Sequence, residues 1–218
     1  MKISKRTLSI LKNFATINQS IVINEGNVIE TISNVKDIFA KAEVDETFDK
    51  EFAIYDLNEF LGTISLFDLD ADFKFGDDSV IISDGTAQQK YFYADKSIVA
   101  TPPEKGITLP SVEVEKNITK EDLTRLAKAA SINNASDITF TEAGILVHDK
   151  TIPTSNKFTI SQKEKGSAKY NLSISVDKLK FILDDYKISI CAKGLSLFSG
   201  ASGIDYFVAL QPDGEYGN

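Results

Sequence analysis

The sequence predicts an α+β protein built from two similar domains in tandem, each an antiparallel sheet carrying two helices on one face. Three observations predict it. In each half, short β-rich runs bounded by turn signals are interrupted by stretches of helical period. A proline-containing segment separates the halves. The first helix of each half also reads as the same helix. SKRTLSILKNFATIN at 4–18 sets against TKEDLTRLAKAASIN at 119–133 at a constant offset of 115. Lys5/Lys120, Leu8/Leu123, Leu11/Leu126, Ala15/Ala130, Ile17/Ile132 and Asn18/Asn133 are identities, and Ser4/Thr119, Ser9/Thr124 and Thr16/Ser131 are conservative. Any two amphipathic helices share leucines three apart. The match here extends to the cap and the terminal Ile-Asn, which favours duplication.

The first helix is predicted at 4–17, with Ser4 as N-cap and Leu8, Leu11, Phe14 and Ala15 on the apolar face. Lys5, Arg6, Ser9, Lys12, Asn13 and Thr16 share the opposite face. Strands are expected at 21–23, 28–32 and 48–55, separated by turn residues such as Asn24-Glu25-Gly26-Asn27. The segment 38–44 fits a strand or a short helix. Asp56 caps a second helix at 57–66 with the stripe Leu57, Phe60, Leu61, Ile64. Strands at 72–75, 79–83 and 90–94 complete a first domain, residues 1–94. Residues 95–111 hold Pro102, Pro103 and Pro110, three of the five prolines, and have no helical period; they form an interdomain connector. In the second domain, 112–218, a strand at 112–116 precedes a Thr119-capped helix to residue 132 with Leu123, Leu126, Ala127 and Ala130 inward. Strands follow at 137–141, 144–149, 157–163 and 169–175. A second helix is predicted at 176–183, then strands at 186–193, 195–199 and 204–211.

Composition and charge exclude some functions. With 218 residues, 42% hydrophobic and 26% charged, the chain is an ordinary globular protein. No apolar run approaches the ~20 residues of a membrane helix. The N-terminal MKISKRTLSILKNF has no long apolar core, which argues against a signal peptide. A single cysteine, Cys191, fits a reducing cytoplasm. The net charge of −8 would repel nucleic acid if it were uniform, but it is not. Residues 1–24 hold four basic residues and no acid, whereas residues 25–111 hold 7 basic and 18 acidic. This segregation suits polyanion binding in one place; a solvated basic helix face is the alternative.

Catalytic constellations are missing. His148, the only histidine, lies in an alternating run and reads as a strand residue. Cys191 sits in the apolar run 188–192 and reads as a buried thiol. The acidic run 68–72 lacks the Gly and Glu an EF-hand loop needs, since Phe73 and Ser79 stand at those places. Asp77-Asp78 and Asp184-Asp185 read as surface pairs. No zinc spacing, phosphate loop or nucleophile elbow is present. The sequence therefore argues against an enzyme, and no cofactor or metal is expected.

Four segments, LKNFATIN at 11–18, AIYDLNEFLG at 53–62, YKISICAKG at 186–194 and DYFVALQ at 205–211, together resemble the sliding clamps, or polymerase processivity factors, of T-even-type tailed bacteriophages. Register holds over the first ~65 and last ~35 residues, by comparison of these segments. Proliferating cell nuclear antigen is a more distant relative. The resemblance implies two clamp domains per chain, three chains per ring, helices inside and sheets outside. It implies a protein that encircles duplex DNA without base contacts and tethers the replicative DNA polymerase in the cytoplasm of an infected host. Such a ring needs an ATP-dependent clamp loader to open it and has no membrane partner. A ring that holds DNA by enclosure needs only diffuse positive charge on its inner wall.

Carried over by position, the DNA-facing candidates are Lys5, Arg6 and Lys12 on the first helix, Lys120, Arg125 and Lys128 on its repeat, and Lys178 and Lys180 on the last helix. The 57–66 helix departs from this pattern: it carries Glu59 and neither Lys nor Arg. The implied pocket for partner peptides is formed by Ile107, Leu109 and Pro110 on the connector with Phe207, Ala209, Leu210 and Pro212 near the end of the chain. Two other function classes remain open: a β-rich structural phage protein such as a tail-tube component, and a hydrolase using paired carboxylates.

Overall fold

The computed structural model describes residues 1–68, 70–162 and 168–217; Leu69 of the acidic run and Lys163, the predicted end of one strand, lie outside the described residues. The chain divides into two compact units, 1–106 and 107–218.

Unit 1 opens with α1 (Lys5–Ile17), whose N-cap Ser4 accepts from the Thr7 N–H. Thr7, Ile10, Leu11, Phe14 and Ile17 are buried, while Leu8 and Ala15 of the expected stripe are half-buried. The buried arc is broad because α1 packs against both a strand and a second helix. Then come β1 (Ile21–Ile23), β2 (Gly26–Ile32), β3 (Ile38–Phe48) and β4 (Phe52–Ile54), antiparallel in the order β4-β1-β2-β3. The ambiguous 38–44 is strand. Ile38, Phe39 and Ala40 are all buried, and from there burial alternates to the end of β3, with Ala42, Val44, Glu46 and Phe48 in and Lys41, Glu43, Asp45 and Thr47 out. The single strand expected at 48–55 is broken: Phe48 closes β3, and a turn separates it from β4. Phe48 and Phe52 still meet edge-on at 5.6 Å.

Asp56 caps α2 (Leu57–Ile64) by accepting from the Glu59 N–H at 3.0 Å, and Leu57, Phe60 and Ile64 are buried. A meander of β5 (Asp72–Phe75), β6 (Ser79–Ser83) and β7 (Gln88–Phe92) follows. After it, the connector makes one 3-10 turn at Lys96–Ile98, and Val99 buries against Val22 and Ala53.

Unit 2 contains β8 (Val114–Ile118), α3 (Lys120–Asn133), β9 (Asp137–Thr141), β10 (Gly144–His148), β11 (Phe158–Ser161), β12 (Tyr170–Ser175), β13 (Tyr186–Cys191), β14 (Leu195–Gly200), β15 (Ile204–Ala209) and β16 (Glu215–Tyr216). They form two antiparallel runs, β15-β14-β13-β8 and β11-β10-β9-β12-β16. α3 starts at the predicted cap Thr119, ends at Asn134 in the left-handed region, and buries Leu123, Leu126 and Ala130.

The helix predicted at 176–183 does not form. One 3-10 turn, Val176–Lys178, replaces it, so unit 2 has one α-helix among the described residues where two were expected. Tertiary packing explains why. Phe181 is buried in an aromatic cluster, with ring centroids 4.6 Å from Tyr206, 4.7 Å from Phe198 and 5.8 Å from Tyr186. The two tyrosines also satisfy the backbone of the next residue. The Ile182 N–H donates to Tyr206 Oη at 3.2 Å, and Tyr186 Oη donates to the Ile182 carbonyl at 2.6 Å. Polar groups that a helix would pair internally are paired here with side chains. Burial drives the pKa of the Tyr206 phenol up to about 12, and that of Tyr186 higher still.

Candidate nucleic-acid and peptide interfaces

Of the eight predicted DNA-facing cations, five are exposed: Lys5 and Lys12 on α1, and Lys120, Arg125 and Lys128 on α3. Their exposure follows from the helix period, since the same turns bury Leu11 and Phe14, or Leu123 and Leu126, on the opposite side. Arg6 is half-buried and tied to β3, donating to the Glu43 carbonyl at 2.7 Å beside Asp45 at 3.5 Å. Lys178 and Lys180 do not lie on an α-helix: Lys178 ends the 3-10 turn and Lys180 follows it. Both are half-buried, and Lys178 Nζ donates to the Ala209 carbonyl at 3.2 Å. Arg125 pairs with Asp122 at 3.2 Å and holds its guanidinium 5.5 Å from the Phe158 ring.

That stacking gives unit 2 a groove along α3 lined by Arg125, Lys128, Ile132, Asn156, Lys157 and Phe158. Sequence pattern does not mark Lys157, because it lies on no helix; the loop before β11 brings it to α3. Unit 1 has a groove between its helices, in which Lys12 borders Ile3, Leu8, Leu61, Ile64 and Phe73.

The proposed peptide wall is on one face of β15-β14-β13. Phe207 pairs with Leu197 and Ala209 with Leu195, which in turn pairs with Cys191, so these side chains share a face. Tyr206 and Val208 point to the opposite, aromatic side. The connector reaches the Phe207 face at Ser111, whose Oγ is 3.3 Å from Cys191 Sγ. Ile107 and Leu109 are half-buried and Pro110 is exposed; Phe207 and Leu210 are buried, Ala209 half-buried and Pro212 exposed.

A polar network beside this wall escaped sequence reasoning. Asp137 on β9, 2% exposed, accepts from Ser136 Oγ at 2.5 Å, the Lys150 N–H at 3.0 Å and Gln211 Nε2 at 2.8 Å. Lys150 Nζ donates to Gln211 Oε1 and, at 2.6 Å, to both oxygens of Asp213. The Gln211 N–H donates to the Ser173 carbonyl at 2.8 Å. The network therefore pins residues 211–213 on either side of Pro212. Burial alone would raise the Asp137 carboxyl; its hydrogen bonds and the Lys150 charge outweigh burial and hold it below the ordinary value. His148 Nε2 lies 2.9 Å from Thr139 Oγ1, itself 2.9 Å from Ser173 Oγ. Burial, then Lys157, pushes the imidazole pKa down. Among the described residues, no group of three or more His, Cys, Asp or Glu side chains is placed to hold a metal ion.

Known proteins share this architecture. A family model described as DNA polymerase processivity factor matches residues 2–100. The sliding clamp of Vibrio phage KVP40 is 34% identical, covering 97% of this chain and 99% of that protein. The sliding clamp of Enterobacteria phage T4 is 32% identical over 98% of each. The structure of A. fulgidus PCNA bound to the C-terminal region of FEN-1 matches with a TM-score of 0.71 at 14% identity, over 98% of each chain. A Helicobacter pylori beta clamp bound to a DNA ligase peptide matches with a TM-score of 0.73 at 10% identity, over 96% of this chain and 64% of that one. At such identities the structural likeness shows a shared fold.

Proposed function

The chain belongs to the sliding-clamp family of DNA polymerase processivity factors, and from that membership we propose that three copies close into a ring around duplex DNA and tether the replicative polymerase. The observation that carries this reading is the duplicated, identically capped helix, α1 and α3, each presenting exposed lysines opposite a buried stripe. Lys5, Lys12, Lys120, Arg125 and Lys128 form the diffuse cationic lining, which attracts phosphates of any sequence and weakens with salt. Arg6 and Lys178 contribute less, because their side chains turn back onto their own units, and Lys180 contributes less because it is half-buried. The acidic remainder of the surface discourages binding elsewhere.

The tethering side is the Phe207 face, where Ile107, Leu109 and Pro110 would meet Ala209, Leu210 and Pro212 around an extended peptide from the polymerase or the loader. Opening the ring falls to an ATP-dependent partner, and the protein works as a non-catalytic accessory in the cytoplasm of the infected cell. Full-length similarity to phage clamps leaves the tail-tube alternative without support.

Light scattering after gel filtration tests the ring. Three chains of 24.0 kDa make 72.0 kDa, and a stable species of that mass is expected. Loaded protein should stay on closed circular DNA and be lost when that DNA is linearised. Equal retention on both forms would overturn enclosure.

A further inference from the structure

The Phe207 face ends in a crossing between sheets. β15 stops at Ala209, and the Leu210 N–H donates to the Gly194 carbonyl, just before β14, at 2.9 Å. One residue later the Gln211 N–H donates to the Ser173 carbonyl on β12, in the other antiparallel run, at 2.8 Å. The wall residues Ala209, Leu210 and Pro212 therefore sit on a span that leaves one sheet and joins the next. Pro212 is exposed and has no N–H to donate, so its place is set by its neighbours.

Lys150 holds both of those neighbours. An ammonium has three N–H donors. Here one goes to Gln211 Oε1 and the others to the Asp213 carboxylate, at 2.6 Å to each oxygen. Asp137 holds the other end of the Gln211 amide, accepting from Nε2 at 2.8 Å. The grip is built in advance. The Lys150 N–H donates to Asp137 at 3.0 Å, and Asp149 accepts from the Thr151 N–H at 2.9 Å and from its hydroxyl at 2.6 Å. Past Asp213, Gly214 lies so near β12 that a Cβ there would come within 2.9 Å of Leu172 Cδ2. Lys150 follows β10 and Asp137 begins β9, so neither belongs to the wall itself.

A site that is competent for only a fraction of the time binds more weakly by that fraction. A wall already in place avoids the cost of ordering it on binding. We propose that Lys150, seconded by Asp137, is a positioning residue of the peptide site: it clasps Gln211 and Asp213 and so holds Pro212 and the Leu210 wall ready for a partner's peptide. This rests on the peptide-pocket reading and adds to it a determinant that lies outside the pocket.

Lys150→Met, Lys150→Arg, Asp213→Ala and the double variant Lys150→Met with Asp213→Ala test it in the full chain. Lys150→Met keeps the apolar stem and the backbone bond to Asp137. Thermal unfolding and molar mass check that fold and assembly are kept. The probe is a fluorescein-labelled synthetic peptide with the C-terminal sequence of the replicative polymerase, followed by stopped-flow anisotropy. Losing the clasp lowers the competent fraction, so the loss should fall on association. We expect Lys150→Met to associate about threefold to tenfold more slowly, with dissociation changed less than about twofold. Lys150→Arg, which keeps charge and donors, should return to near the wild-type rate. Asp213→Ala should lie between, and the double variant should be no slower than Lys150→Met, because both substitutions open one clasp. If Lys150→Met does not fold, Asp213→Ala carries the same test, since Asp213 is exposed. Association at the wild-type rate in the folded variants, or a loss confined to dissociation, would overturn the clasp and leave the pocket reading standing. A wild type that binds no peptide would overturn the pocket reading, and the clasp with it.

Discussion

Ser4 and Thr119, 115 residues apart, make one and the same hydrogen bond: each side-chain oxygen accepts from the backbone N–H three residues on, that of Thr7 or of Asp122, at 3.1 Å in both cases. Each satisfies a donor the first turn of its helix leaves unmade. Thr119→Ala should lower stability by about 0.5–2 kcal/mol in urea unfolding. At Ser4 the cap is reinforced, since the Glu46 carboxylate accepts from the Ser4 N–H and the Thr7 hydroxyl. Glu46→Ala should therefore cost more than Thr119→Ala, because two donors at the start of α1 are left without their acceptor.

The Asp137 network should make unit 2 sensitive to acid. Its folded-state carboxyl lies below the ordinary value, so its stabilisation is fully present above the unfolded value, ~4, and is lost as pH falls through the lower folded value. Asp137→Asn should destabilise by about 1–3 kcal/mol near neutral pH and flatten the stability profile below about pH 4. Unfolding followed across pH 2–7, in wild type and variant, checks both (the range is set by ordinary carboxylate titration, about 4).

Phe181 holds the 176–185 segment out of helix. Phe181→Ala should cost about 3–5 kcal/mol, the usual range for emptying a buried aromatic site. Tyr206→Phe removes only the oxygen that accepts from Ile182 and should cost about 1 kcal/mol. If the aromatic latch dictates the backbone, amide exchange at Ile182 should accelerate in both variants.

The exposed helix lysines should act through phosphate charge alone. Lys12→Ala with Lys120→Ala should weaken duplex binding equally for all sequences. The variant should flatten the dependence of log K on log salt by about 0.9 for each phosphate it no longer neutralises. Arg6→Ala should change that slope less, since Arg6 is engaged with Glu43 and Asp45.

For the peptide wall, Leu109→Ala with Leu210→Ala should abolish binding of a peptide from the C-terminus of the replicative polymerase while the oligomer survives. Leu210 is buried, so the double variant should also be less stable by about 2–5 kcal/mol, and folding is confirmed by circular dichroism before titration. Unchanged peptide affinity in the folded variant would overturn the assignment.

Local order settled what could be read before the fold was known. α1, α2 and α3 begin at the expected caps Ser4, Asp56 and Thr119, because a cap and a 3.6-residue stripe lie within a few consecutive residues. The exposed cations of α1 and α3 follow from the same stripes. Long-range pairing decided the rest. The 38–44 segment became strand through its ladder with β2. The helix expected at 176–183 gave way to Phe181 and two tyrosines on β13 and β15. Asp137 met Gln211 across 74 residues, a pairing no local pattern announces. A sequence specifies its turns and periods through neighbours; which buried polar group is satisfied, and by whom, depends on strands that meet only after folding.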